Sequence, residues 1–143
     1  IKIENIKTIL HDTESTSFQK INNAIMLGQT DRGSKYLLKS FNEGINPIAI
    51  IKSLNNYLLR VRVVQIELKK GRLFDDAIKV LKPPVFWKEK TNFQRLCRIW
   101  PMIVIENSIT ELLNIEINCM KNSSIAWEQC EIALLQMAYR GRS

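Results

Sequence analysis

From Phe18 onward, apolar residues recur every three or four positions, the period of helices that bury one face. Glycines and prolines punctuate this pattern. A first helix is expected over Ser17 to Leu27, capped by the Ser17 hydroxyl and stopped near Gly28. A second begins after Asp31, turns Tyr36, Leu37, Leu38 and Phe41 inward, and stops at Gly44. Asn46 and Pro47 then supply a cap and a first helical residue, because proline lacks only an N–H that a helix start leaves unpaired anyway. The helix they open runs to Lys70, with Gly71 as its stop.

That third helix is the longest. Ile51, Leu54, Leu58 and Val61 form one buried stripe, and Leu59, Val63 and Ile66 lie on roughly the opposite side, the signature of a central helix. Lys52, Asn56 and Arg60 make its polar edge. A short fourth helix, "LFDDAIKVL", must end before Pro83. A fifth covers "FWKEKTNFQRLCRI" and is broken at Trp100-Pro101. The sixth, from about Met102 to Met120, turns Ile105, Ile109, Leu112 and Cys119 inward and Asn107, Thr110, Glu111, Asn114 and Asn118 outward. After the "KNSS" loop, a seventh from about Ile125 to Tyr139 buries Ala126, Cys130, Ala133 or Leu134, and Met137. No segment sustains a period of two. The expected fold is all-α, a bundle of about six or seven helices.

The opening "IKIENIKTILHD" carries one amphipathic turn set, Ile3, Ile6 and Ile9 or Leu10, before the aperiodic polar "TESTS". Residues 1–16 therefore read as the tail of a preceding domain with a linker, and residues 17–143 as one helical domain. A chain of 143 residues, 45% hydrophobic and 24% charged, is long enough for one real core. No apolar run approaches the roughly 18 residues of a membrane span. The chain starts with Ile and shows no secretory leader, so it reads as a piece of a longer cytosolic protein.

The formal charge of +7 changes the picture, since it favours an acidic partner with nucleic acid as the leading class. Its carriers are Lys52, Arg60, Arg62, Lys69, Lys70 and Arg72 on or after the third helix, then Lys88, Lys90, Arg95 and Arg98, and finally Lys121. A solvated face and a phosphate-tracking stripe both fit them. Absence of an aromatic-interleaved ribonucleoprotein motif argues against sequence readout.

Catalytic and cofactor chemistry finds little support. "GQTDRGSK" (28–35) has the glycine spacing of a phosphate loop, but Ser34 and Lys35 stand in the reverse of the required order, and helix rather than strand precedes them. His11 has no nucleophile motif to serve. Asp75 and Asp76, adjacent on a helix, diverge by about 100° and suit a helix start better than acid–base work. Cys97, Cys119 and Cys130 lack C-x-x-C spacing and with one histidine make no zinc site, so they read as buried thiols. No metal, cofactor or active site is expected. Trp87, Trp100 and Trp127 adjoin helix boundaries and read as corner packing. Within "LKPPVFWKEK", Pro83 and Pro84 set a structural corner that Phe86 and Trp87 are placed to pin to the bundle.

Several ordered segments resemble one family. "ENIKTILHD", then "SFQKINNAIMLGQTDRGSKYLLKSFNEGINPIAIIKSLNNYLLRVR", the Pro-Pro-aromatic-basic corner, and the closing "LNIEINCMKNSSIAWEQCEIALLQMA" are similar to the C-terminal part of delta subunits of the bacterial DNA polymerase III clamp loader, alphaproteobacterial members especially. The resemblance implies the tail of an AAA+ lid followed by a non-catalytic collar domain. Such a domain joins delta-prime and tau or gamma subunits, while a missing N-terminal domain engages the sliding clamp. It further implies a bacterial cytoplasmic, nucleoid-associated setting and weak, non-specific DNA contact. The loop before the last helix approaches DNA in some members, which marks Lys121, Asn122 and Ser123. Met120 stands where the family often has Lys, and Ser123 where some members have an aromatic. These departures weigh against base stacking there and leave a phosphate contact through Lys121. A basic contact face of Lys52, Arg60, Lys88 and Lys90 fits the rival expectation, a stand-alone helical nucleic-acid-binding domain.

Overall fold

The computed structural model describes residues 18–142. Among them there are seven helices and no strand, an all-α bundle. Helix α1 covers residues 18–26, α2 Thr30–Asn42, α3 Pro47–Lys69, α4 Phe74–Ala77, α5 Lys90–Ile99, α6 Met102–Lys121 and α7 Ala126–Arg142. Single 3-10 turns at Ile78–Val80, Trp87–Glu89 and Ser123–Ile125 extend α4 and lead into α5 and α7. The tail and linker expected at residues 1–16, His11 and the Ser17 cap lie outside the described residues.

The helix boundaries follow the punctuation. Asn46 Oδ1 accepts the Ile48 N–H at 2.9 Å, and Pro47 takes the first position of α3. Gly71, with φ of 95°, ends that helix in a conformation disfavoured for any residue with a Cβ. Trp100 leaves helical geometry just before Pro101, as the residue preceding a proline must.

Helix α3 is the axis of the bundle and packs against α4, α5, α6 and α7. Ile51, Leu54, Leu58 and Val61 are wholly buried, and Ile50, Tyr57 and Val64 widen their stripe. The second side expected at Leu59 and Val63 instead faces largely outward. α3 and α6 run antiparallel: Arg62 meets Glu106 at 3.4 Å, and one turn earlier Leu59 lines the same groove as Ile109 and Thr110. α6 and α7 form a second antiparallel pair, with Arg140 on Glu111 at 2.8 Å and Cys119 near Gln129.

On α2 the inward set is smaller than expected. Leu37 is buried, but Leu38 is 62% and Phe41 54% exposed. Leu37 and Leu38 are neighbours about 100° apart, and the face that closes on α1 and α7 admits only the first. Small residues take the remaining close approaches. Gly33 is buried, and a Cβ there would stand 3.0 Å from Ile25 Cδ1.

Candidate functional site

The residues proposed for DNA contact fall into two groups. Lys121 ends α6, and Asn122 and Ser123 begin the short turn into α7, all three exposed. Ser124 Oγ and Asn122 Oδ1, 2.7 Å apart, close this turn on itself. Because α3 and α6 are antiparallel, Lys121 lies at the Pro47 end of α3, roughly 22 Å along α6 from Glu106. Arg60 sits within a turn of Arg62, the partner of Glu106, and so roughly 20 Å along α3 from Pro47.

The second group surrounds Arg60. Burial pulls the Arg60 guanidinium below its ordinary range, with Tyr57 opposing. Tyr57 is itself raised, by burial first and then by Glu89 and Cys97, while Arg60 lowers it. Tyr57 stands one turn before Arg60 on α3 and is joined through Asn23 to Glu89, which places the Arg60 edge of α3 beside the 3-10 turn that carries Lys88 and Glu89 and leads to Lys90. Lys52 shares the edge with Arg60, about 12 Å nearer the start of α3. Lys90 is already engaged, with Nζ 2.6 Å from Asp75. That pair also answers for Asp75: its carboxylate ties α4 to α5, and Asp76 pairs with Lys79 at 3.5 Å. The structure therefore brings Arg60, Lys88 and Lys90 to one region and sets Lys121 apart.

The corner between α4 and α5 is built differently from the sequence expectation. Phe86 is 57% and Trp87 73% exposed, so neither ring pins it. What holds the corner is Leu81, which is buried, Val85, which packs on the core, and a polar relay. Asn23 Nδ2 donates to Glu89 Oε2 at 2.8 Å, and the Tyr57 hydroxyl donates to Asn23 Oδ1 at 3.3 Å. One asparagine thereby joins α1, α3 and the entry to α5. Pro83 and Pro84 lie exposed in the bend ahead of it. With those residues carrying the fold, Phe86 and Trp87 are left tilted against each other in solvent, centroids 5.9 Å apart, and Lys88 Nζ stands 5.4 Å from the indole centroid.

An exposed indole beside ammonium groups can do what a buried corner cannot. Its π face stacks on a planar base while the neighbouring cations meet phosphates. Sequence reasoning missed the exposure of Phe86 and Trp87. The usable signal was local: the proline pair already explains the bend, leaving two large rings unneeded by it. Trp100, by contrast, is buried, and its Nε1 donates to the Met26 carbonyl at 2.8 Å. Trp127 is half-buried, meeting Phe41 edge-on at 5.3 Å.

The former phosphate-loop decoy is a helix corner. Gly28 has φ of 74° between α1 and α2, and Gly33 is consumed by helix packing. Cys97, Cys119 and Cys130 are buried and unpaired. No helix among the described residues is long and apolar enough to cross a membrane. Comparison with family models, curated proteins and solved structures gave no match for this chain.

Proposed function

We propose that this chain is the C-terminal collar domain of a clamp-loader delta subunit, packing against delta-prime and tau or gamma subunits in the bacterial cytoplasm. In that assembly the sliding clamp is opened through the missing N-terminal domain and loaded on primed DNA. The reading assigns no active site to this segment; the DNA-directed polymerase activity of the parent holoenzyme belongs to other chains.

The observation that supports it best is the set of large apolar side chains left uncovered on the last two helices. Ile103, Leu113, Ile117 and Met120 on α6 and Ile132 on α7 all face outward. Single exposed apolar residues are ordinary, but this many along two adjacent helices offer burial to a neighbouring subunit. The motif order that resembles the delta family points the same way. Trp87 with Lys88, and Lys121 separately, then supply the weak and non-specific DNA contact.

Co-expression with delta-prime and tau, followed by co-purification and a salt-titrated DNA-binding assay, tests this reading. A ternary collar complex is expected, with DNA binding by the lone chain weak. Micromolar binding to DNA by the lone chain, steeply salt-dependent and without subunit association, would instead establish the stand-alone nucleic-acid-binding domain.

A further inference from the structure

A groove lies between α2 and the first turns of α7. It encloses about 400 Å³, with Leu37 at its base, Leu38, Phe41 and Trp127 on its walls, and Glu128 and Glu131 on its rim. That space admits one large side chain and part of its neighbours. Its walls are apolar and open, as the exposure of Leu38 and Phe41 shows. Both glutamates are on the first turns of α7, one turn apart and therefore on one side of it. Among the described residues no ion pair engages either carboxylate, although the chain carries 21 lysines and arginines. An acidic rim on a chain of charge +7 is a local reversal of sign.

We infer that this groove binds an amphipathic basic helix of a partner protein. A leucine-sized or larger anchor fills the space between Phe41 and Trp127, and lysines or arginines beside the anchor meet Glu128 and Glu131. The reversal of sign selects that partner: the apolar walls alone would accept any amphipathic helix, and the two carboxylates favour a basic one over an acidic one on a chain whose net charge is otherwise positive. The inference rests on the groove lining and does not depend on the clamp-loader reading.

The test uses the full chain carrying Trp87→Phe, so that a change in indole emission reports Trp127 against the buried Trp100. The probe is a synthetic helix with leucines on one face and lysines on the other, and its counterpart has glutamates for the lysines. Titration at physiological ionic strength is expected to give saturable binding of the lysine peptide with a shift in emission. Glu128→Lys with Glu131→Lys is expected to weaken that binding by about tenfold or more and to favour the glutamate peptide. Glu128→Gln with Glu131→Gln, a milder change on exposed positions, should weaken it without reversing preference, and Phe41→Ala should weaken binding of either peptide. No saturable binding, equal binding of both peptides, or indifference to the charge changes overturns the inference. So does sedimentation showing a dimer that Phe41→Ala disperses, which would give the groove to a second copy. Binding of a peptide of residues 1–17 in preference to the lysine helix would equally overturn it, giving the groove to the chain's own segment.

Discussion

Gln65 in α3 donates its side-chain amide to the carbonyl of Trp100, 2.6 Å away at the end of α5, and also to the Cys97 carbonyl at 3.2 Å. Trp100 passes the connection on through its indole N–H to the Met26 carbonyl at the end of α1. A buried glutamine thus satisfies carbonyls that the proline-terminated end of α5 leaves without helical donors, and three helices close on one point.

Replacing Gln65 by Leu keeps similar volume but strands those carbonyls. A loss of about 2 kcal/mol is expected, since buried acceptors without donors cost more than the bond itself returns. Urea unfolding with an unchanged slope and a lowered midpoint would be the signature.

The two tryptophans at helix boundaries should behave oppositely. Trp100→Ala empties a buried site and removes the bond to Met26, with an expected loss of about 3 to 5 kcal/mol. Trp87→Ala should leave stability within about 0.5 kcal/mol, since its ring is exposed. Under the proposed DNA contact, loss of this stacking ring should weaken single-stranded DNA binding by a similar factor at every salt concentration, and unchanged binding would remove Trp87 from that contact.

Capping of α3 is open to a small, clean measurement. Asn46→Ala removes the acceptor for the Ile48 N–H and should cost about 1 kcal/mol, while Asn46→Asp should restore most of it. Gly71→Ala is expected to cost a similar amount, about 1 kcal/mol, through backbone strain alone, because nothing crowds a Cβ there. Thermal melts of the variants compare the two causes.

Alkaline pH should unfold this protein through its thiols. Burial pushes Cys97 from an ordinary 9.0 up to about 12. Burial, then Cys119 and Glu131, take Cys130 to about 12 as well. Both are neutral when protonated, and the fold favours that form. Their contribution is therefore whole below about pH 9 and is lost as pH rises towards 12. The raised Tyr57 adds to the same slope. Denaturation midpoints should fall progressively above pH 9, and less so in a Cys97→Ala, Cys130→Ala variant compared with its own neutral-pH value. In the native protein both thiols should also resist alkylation at neutral pH and react once denaturant is added.

The sequence by itself determined the number and order of the helices. Gly28, Gly44, Asn46-Pro47, Gly71 and Trp100-Pro101 act through their own backbone chemistry, so their effect is local and readable. The inner faces of α6 and α7 were legible from spacing: Ile105, Leu112 and Cys119, and Ala126, Cys130, Leu134 and Met137, recur at the helical period and are buried, while Ile103, Leu113, Ile117, Met120 and Ile132 fall outside those stripes and stay exposed. Choices between candidates of equal hydrophobicity were left to tertiary structure. Leu37 went in and Leu38 out because only one neighbour's side of α2 is covered, and Phe41 remained on a groove wall because α7 brings Trp127 there. The corner at Phe86 and Trp87 is the sharpest case. Its rings look like core in sequence, yet Asn23, Tyr57 and Glu89, from three separate segments, hold the corner and leave the rings to solvent. No periodicity records a hydrogen bond between residues 66 positions apart. The division of Lys121 from Arg60 and Lys88 was equally hidden, since it follows from the antiparallel pairing of α3 with α6, and the acidic rim of the α2–α7 groove exists only where two distant helices meet.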